Sequence, residues 1–232
     1  MLLAGVGPGL GASLVRRFAE GGFRVGMLAR SEGTMNDLAD ELGDQAIGFQ
    51  ADISDPDEVR QAFVGIREAL GPVDVLINHA SAAAWKGILK VDAEEFERAW
   101  RVSAYGAFLC SQAALPDMVQ AEKGCVLFTG ATSSIRGCLG AVDFSSAKFA
   151  VRGLADAMAR ELWPKGIHVA HVIVDGGIDA RDSSAQASSP SENESLLNPD
   201  AIAQVYWDLA AQHPSSWSWE VDVRPNREPF FE

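Results

Sequence analysis

Nowhere in the 232 residues does an apolar run grow long and charge-free enough to span a bilayer, so no membrane is expected as a partner. Basic residues are scarce. There are 19 Lys and Arg against 32 Asp and Glu, a net charge of −13, which makes nucleic acid and anionic lipid surfaces poor partners. The cysteines, Cys110, Cys125 and Cys138, are odd in number and lack metal-ligand spacing; they read as free thiols of a reducing cytoplasm, with no metal expected. A secretory leader is not expected either, because a glycine-rich stretch starts at the fifth residue. Internal repeats are missing too. With 47% hydrophobic residues, the chain (1–232) is expected to bury one core as a single domain.

What is present begins with Gly5-Val6-Gly7-Pro8-Gly9-Leu10-Gly11. These residues follow the short apolar run Met1 to Ala4 and precede Leu14, Val15 and Phe18, spaced like one face of a helix. Glycines there let the backbone take positive φ and let a bulky anion approach, and the helix that follows points unpaired N–H groups at that anion. Apolar strands and helices then alternate to the end of the chain. This predicts an α/β fold: a doubly wound, Rossmann-type parallel sheet of about seven strands with helices on both faces. The predicted strands are Phe23 to Ala29, Ala46 to Ala51, Val73 to Ile77, Cys125 to Gly130, Ile167 to Val174 and Trp217 to Val223. Long helices are predicted over Asp92 to Gln120 and Phe144 to Trp163, with a last one over Pro199 to Gln212.

In such a sheet the carboxyl end of the second strand faces the adenosine ribose, where a carboxylate binds the 2′-hydroxyl and an arginine suits a 2′-phosphate. Here the pair is Ala29-Arg30, so NADP(H) is favoured over NAD(H). Asp52-Ile53 after the third strand either meets the adenine or caps the loop before Asp55-Pro56. The fourth strand ends in Asn78-His79-Ala80-Ser81, at the edge that would face the cofactor. Asn78 can tie neighbouring strands together, and His79 is an acid–base candidate or a structural residue.

With the glycine loop, Ala29-Arg30, Asp52, Asn78-x-Ala80 and Ser145-Ser146-Ala147-Lys148 in this order, nearly the whole chain resembles the short-chain dehydrogenase/reductase family. The resemblance implies a nicotinamide cofactor on the carboxyl edge of the sheet, held by Gly5 to Gly11, Ala29, Arg30, Asp52, Ile53, Asn78, Ala80 and Lys148. It adds Gly176 and Ile178 from Asp175-Gly176-Gly177-Ile178-Asp179-Ala180, which is similar to the family's P-G-x-V-x-T segment, with Asp175 and Ala180 departing from it. It also implies a homodimer or homotetramer through the helices near 92–120 and 144–163. The substrate is expected to be a small carbonyl or alcohol, in a pocket drawn from 82–89, 136–142 and a Ser-rich mobile loop near 181–197; Trp85, Ile135 and Leu139 hint that it is apolar.

The catalytic set is where the resemblance breaks. Lys148 matches the family's lysine, but Phe144 stands where the proton-donating tyrosine belongs. Ala131 replaces the serine in a gap-free match, and Ser103 replaces the asparagine of the fourth helix. A shorter loop would instead bring in Ser134, with Ser133 beside it. Asp143, His79 and Tyr105 are further proton carriers. Two readings follow: an oxidoreductase with a non-standard proton donor, or a cofactor-binding sensor or scaffold without turnover.

Overall fold

The computed structural model describes residues 1–179 and 196–226. The substrate loop expected near 181–197 lies outside them except for Leu196 and Leu197, and so does Ala180. The elements run β1 (Leu2–Ala4), α1 (Leu10–Glu20), β2 (Val25–Ala29), α2 (Gly33–Leu42), β3 (Ala46–Gln50), α3 (Pro56–Leu70) and β4 (Val75–Asn78). The second half continues with α4 (Ala93–Trp100), α5 (Gly106–Gln120), β5 (Gly124–Thr129), α6 (Val142–Leu162), β6 (Ile167–Val174), α7 (Pro199–Ala210) and β7 (Glu220–Val223). All seven strands are parallel, in the order β3-β2-β1-β4-β5-β6-β7. The order reverses beside β1, where doubly wound sheets open a crevice at their carboxyl edge.

Successive strand residues point to opposite faces, which divides the interior in two. Leu3, Met27, Ile77 and Leu127 pack against α1, α2 and α7, around the fully buried Phe18 and Tyr206. Leu2, Leu28, Leu76 and Phe128 pack against α3, α5 and α6, around Phe63 and Ile66. Burying each such side chain stabilises the fold by about 1.5–3 kcal/mol.

Local signals set where the helices start. Asp55 accepts from the N–H groups of Asp57 and Glu58 ahead of Pro56, and Asn198 does the same for Asp200 and Ala201 ahead of Pro199. Asp92 and Glu95 form a capping box at α4. The single helix expected over 92–120 is interrupted by a five-residue π turn, Arg101–Tyr105. That wide turn carries Ser103.

Candidate active site

Two clefts open along the carboxyl edge of the sheet and share His79 and Ser81. The near cleft, of about 540 Å³, lies at the end of β2 and is lined by Gly5, Gly7, Ala29, Arg30, Asp52 and Ile53, among others. Ala80 lines it as well. Gly5 has φ +100°, and a Cβ on it would lie 2.4 Å from the backbone nitrogen of Ala80. Only glycine lets these two segments touch. At Gly7 and Gly9 a Cβ would meet nothing within 4 Å, so one side of the loop is open. No side chain caps the first turn of α1 behind Gly9; the Ala12 N–H donates to the Gly7 carbonyl (2.9 Å), which leaves the N–H groups of Leu10 and Gly11 for an anion. Leu10 and Gly11 are buried in that turn, and Pro8 is exposed on the loop.

Arg30 is exposed at the rim of this cleft. Asp52 also lines the cleft, but its Oδ1 accepts from the Ser54 N–H (2.9 Å) and hydroxyl (2.7 Å), so it does cap its own loop. Asn78 lines neither cleft. Its amide donates to Ser111 Oγ (3.1 Å) on α5, a tie from strand to helix in place of the expected tie between strands.

The far cleft, of about 680 Å³, is built where β5, β6 and the start of α6 converge. Lys148 is almost completely buried and donates to the Thr129 carbonyl (2.7 Å). Burial pushes its ammonium down to about 8. One helical turn earlier the Phe144 ring lies 5.5 Å from Nζ and 4.9 Å from the Trp85 ring. Trp85 holds a left-handed backbone, φ 54°, which is rare for a bulky residue. Gly176 and Ile178 line the same cleft, and so do Ala131 and Ser133.

The remaining candidates separate. Ser134 is fully buried, with its hydroxyl oxygen accepting from the Ala131 N–H (3.1 Å). Ser133 donates to Cys138 Sγ (3.1 Å) and accepts from Ser145. Asp143 is buried away from the cleft, accepting from the Ala84 N–H (2.6 Å). Ser103 is buried in the π turn, with Oγ 3.4 Å from the Ala82 nitrogen. Tyr105 stacks between Trp100 and Phe108 and lines neither cleft. Ile135 and Leu139, expected in the pocket, do not line it; Leu139 is fully exposed.

His79 is the proton carrier that lines both clefts. Tyr206 on α7 is fully buried, and its hydroxyl donates to Thr129 Oγ1 (2.8 Å), which is 3.0 Å from His79 Nδ1. Thr129 Oγ1 therefore links Tyr206 to His79 Nδ1, and the ring carries its hydrogen on Nε2 when the threonine hydroxyl donates and on Nδ1 when it accepts. Burial, followed by the Lys148 charge, lowers His79 to about 4, so the ring is neutral at pH 7. Sequence reasoning missed this chain because Tyr206 is 127 positions from His79 and carries no local motif.

An open, uncapped glycine loop next to a cleft with a buried lysine is the edge geometry of a nucleotide-binding Rossmann fold. The family description short chain dehydrogenase matches residues 1–189. The chain belongs to the short-chain dehydrogenase family. It is 30% identical over 179 residues to the 3-oxoacyl-[acyl-carrier-protein] reductase MabA of Mycobacterium tuberculosis, covering 77% of this chain and 69% of the reductase. It is also 30% identical over 201 residues to the inactive 2-(S)-hydroxypropyl-CoM dehydrogenase 2 of Xanthobacter autotrophicus, covering 87% and 83%. The 3-ketoacyl-(acyl-carrier-protein) reductase of Brucella melitensis complexed with NADH superposes with a TM-score of 0.86 at 26% identity, covering 97% and 96%. Among the described residues no helix is long and apolar enough to cross a membrane, and no His, Cys, Asp or Glu cluster could hold a metal ion.

Proposed function

We propose that this chain binds NADP(H) across the two clefts and is an oxidoreductase whose proton comes from a group other than a tyrosine. The observation that carries the reading is the pair Phe144 and Lys148. The lysine keeps its buried place at the floor of the far cleft, while the residue one turn earlier presents a ring without a hydroxyl. The residues present fit a dinucleotide: the uncapped start of α1 for the phosphates, Arg30 for a 2′-phosphate, and Lys148 with Gly176 and Ile178 at the nicotinamide end. The bound cofactor would supply the hydride. The NADH complex of the Brucella relative supports a dinucleotide here, and Arg30 supports the phosphorylated form.

Acid–base assistance is worth about 10²- to 10⁴-fold, so loss of the phenol leaves a slow reaction. In the tautomer with hydrogen on Nε2, His79 is the group we assign to the substrate oxygen as hydrogen-bond donor. A second reading, cofactor binding without turnover, is favoured by the internal pairing of Ser133 and Ser134, which leaves no free hydroxyl in place of the missing serine. The substrate is a small carbonyl or alcohol, and the protein works in the cytoplasm as an oligomer built on α4, α5 and α6.

Titration with NADPH, followed by hydride turnover on a carbonyl and alcohol panel, separates the readings. Turnover that falls about tenfold or more in His79→Ala supports the first, whereas binding without turnover supports the second. The double variant Phe144→Tyr, Ala131→Ser should raise turnover by about 10²-fold or more. No gain would count against the assignment of these two positions.

A further inference from the structure

Three cations, Arg136, Lys148 and Arg224, line the far cleft, against the single carboxylate of Asp175. Two of the three are engaged. Lys148 donates to the Thr129 carbonyl, and Arg224 forms an ion pair with Asp175, which also accepts from Thr132. Arg136 is half-buried, faces the cleft and makes no ion pair with any described residue. A guanidinium partly removed from water without a counter-charge is costly, and its planar fork is suited to a carboxylate. The cofactor's phosphates do not meet this need in the proposed reading, since Arg136 lines only the far cleft while the glycine loop lines only the near one. The Trp85 and Phe144 rings, 4.9 Å apart, line the same cleft and give it an apolar wall. The chain as a whole, at −13, repels anions at long range, but salt screens that field within about 8 Å and leaves the local charge in control.

From this arrangement we infer that the far cleft receives a small organic carboxylate with an apolar body, and that Arg136 is its counter-charge. The inference names a substrate class for the proposed site and rests on that reading only for placing the dinucleotide's phosphates in the near cleft and its nicotinamide at Lys148.

The test is calorimetric titration of the full chain, with and without saturating NADPH, using phenylpyruvate and its uncharged methyl ester as probes. The acid should bind at least tenfold tighter than the ester. Arg136→Gln should erase that preference while leaving the melting temperature and NADPH affinity unchanged, and Arg136→Lys should keep part of it. Equal binding of acid and ester to the wild type overturns the inference. So does a preference that survives Arg136→Gln, a loss of NADPH affinity in that variant, or no acid binding at millimolar concentration. If Arg136→Gln does not fold, the wild-type comparison and Arg136→Lys decide. If NADPH itself fails to bind, the cofactor reading falls, and the titrations without NADPH still decide the carboxylate question.

Discussion

Lys148 shows how one buried side chain trades stability for binding. Its pKa, about 8 in the fold against 10.5 in water, means that below pH 8 the folded chain bears the full cost of an enclosed ammonium, of order 3 kcal/mol. Between pH 8 and 10.5 the unfolded chain holds a proton that the folded one has released, so stability attributable to this residue rises with pH there. Lys148→Met should therefore raise the melting temperature of the cofactor-free protein at pH 7, by about 2–4 °C per kcal/mol recovered, and weaken NADPH binding. An unchanged melting temperature would show that the bond to the Thr129 carbonyl already offsets the burial. Arg30 calls for a different measurement. Exposed, and with no ion pair among the described residues, it should act only on the 2′ substituent. Arg30→Asp is expected to weaken NADPH by tenfold or more and NADH little; equal losses would remove the case for the phosphorylated cofactor.

Between elements, the tie that holds the outer edge of the sheet is Glu220 on β7. It accepts from Arg152 on α6 (2.6 and 3.0 Å) and pairs with His171 Nδ1 on β6 (3.0 Å). His171 is fully buried, and desolvation lowers it to about 4 despite the opposing pull of Glu220. A histidine depressed in this way binds fewer protons folded than unfolded. Its stability is intact above pH 6.5 and is lost as pH falls toward 4. His79 adds to the same slope. Melting temperature should decline between pH 6.5 and 4, and Glu220→Gln should lower it at pH 7 by the equivalent of about 1–3 kcal/mol. A flat profile would mean that these rings are not buried neutral.

The central parallel strands were legible as apolar runs beside Gly, Pro or Asp, and β6 was bounded at Ile167 and Val174 as expected, whereas β7 (Glu220–Val223) carries two carboxylates and starts later than the expected Trp217. The π turn at Arg101–Tyr105 was not legible, since its residues continue the helical pattern on either side and the extra residue per turn leaves no mark in composition. At the site, Gly5 and Arg30 were named from their places at strand ends and Lys148 from the family resemblance, and all three line the clefts. The directions of Asn78 and Asp143 could not, because strand and helix register decide which face a side chain takes.

At the scale of the whole molecule, the outer face of α4 and α5 carries a ladder of rings that the described residues leave partly exposed. Trp100, Tyr105 and Phe108 stack 6.2 Å apart, with interplanar angles of 12° and 19°, and Arg101 lies over the Tyr105 ring. Trp100 is 43% exposed, Phe108 40% and Phe149 on α6 46%. Contiguous aromatic surface of this kind is uncommon on a monomer, and a two-fold axis beside it would set each ladder against its copy. Light scattering on the purified chain should give at least twice the 24.7 kDa of one chain. The double variant Trp100→Glu, Phe108→Glu should shift it to that mass, because opposed carboxylates would be desolvated across the axis. Neither residue lines a cleft, so NADPH affinity in the dissociated variant reports whether assembly shapes the binding edge. A wild-type chain that runs as a monomer at micromolar concentration would mean that the rings serve another contact.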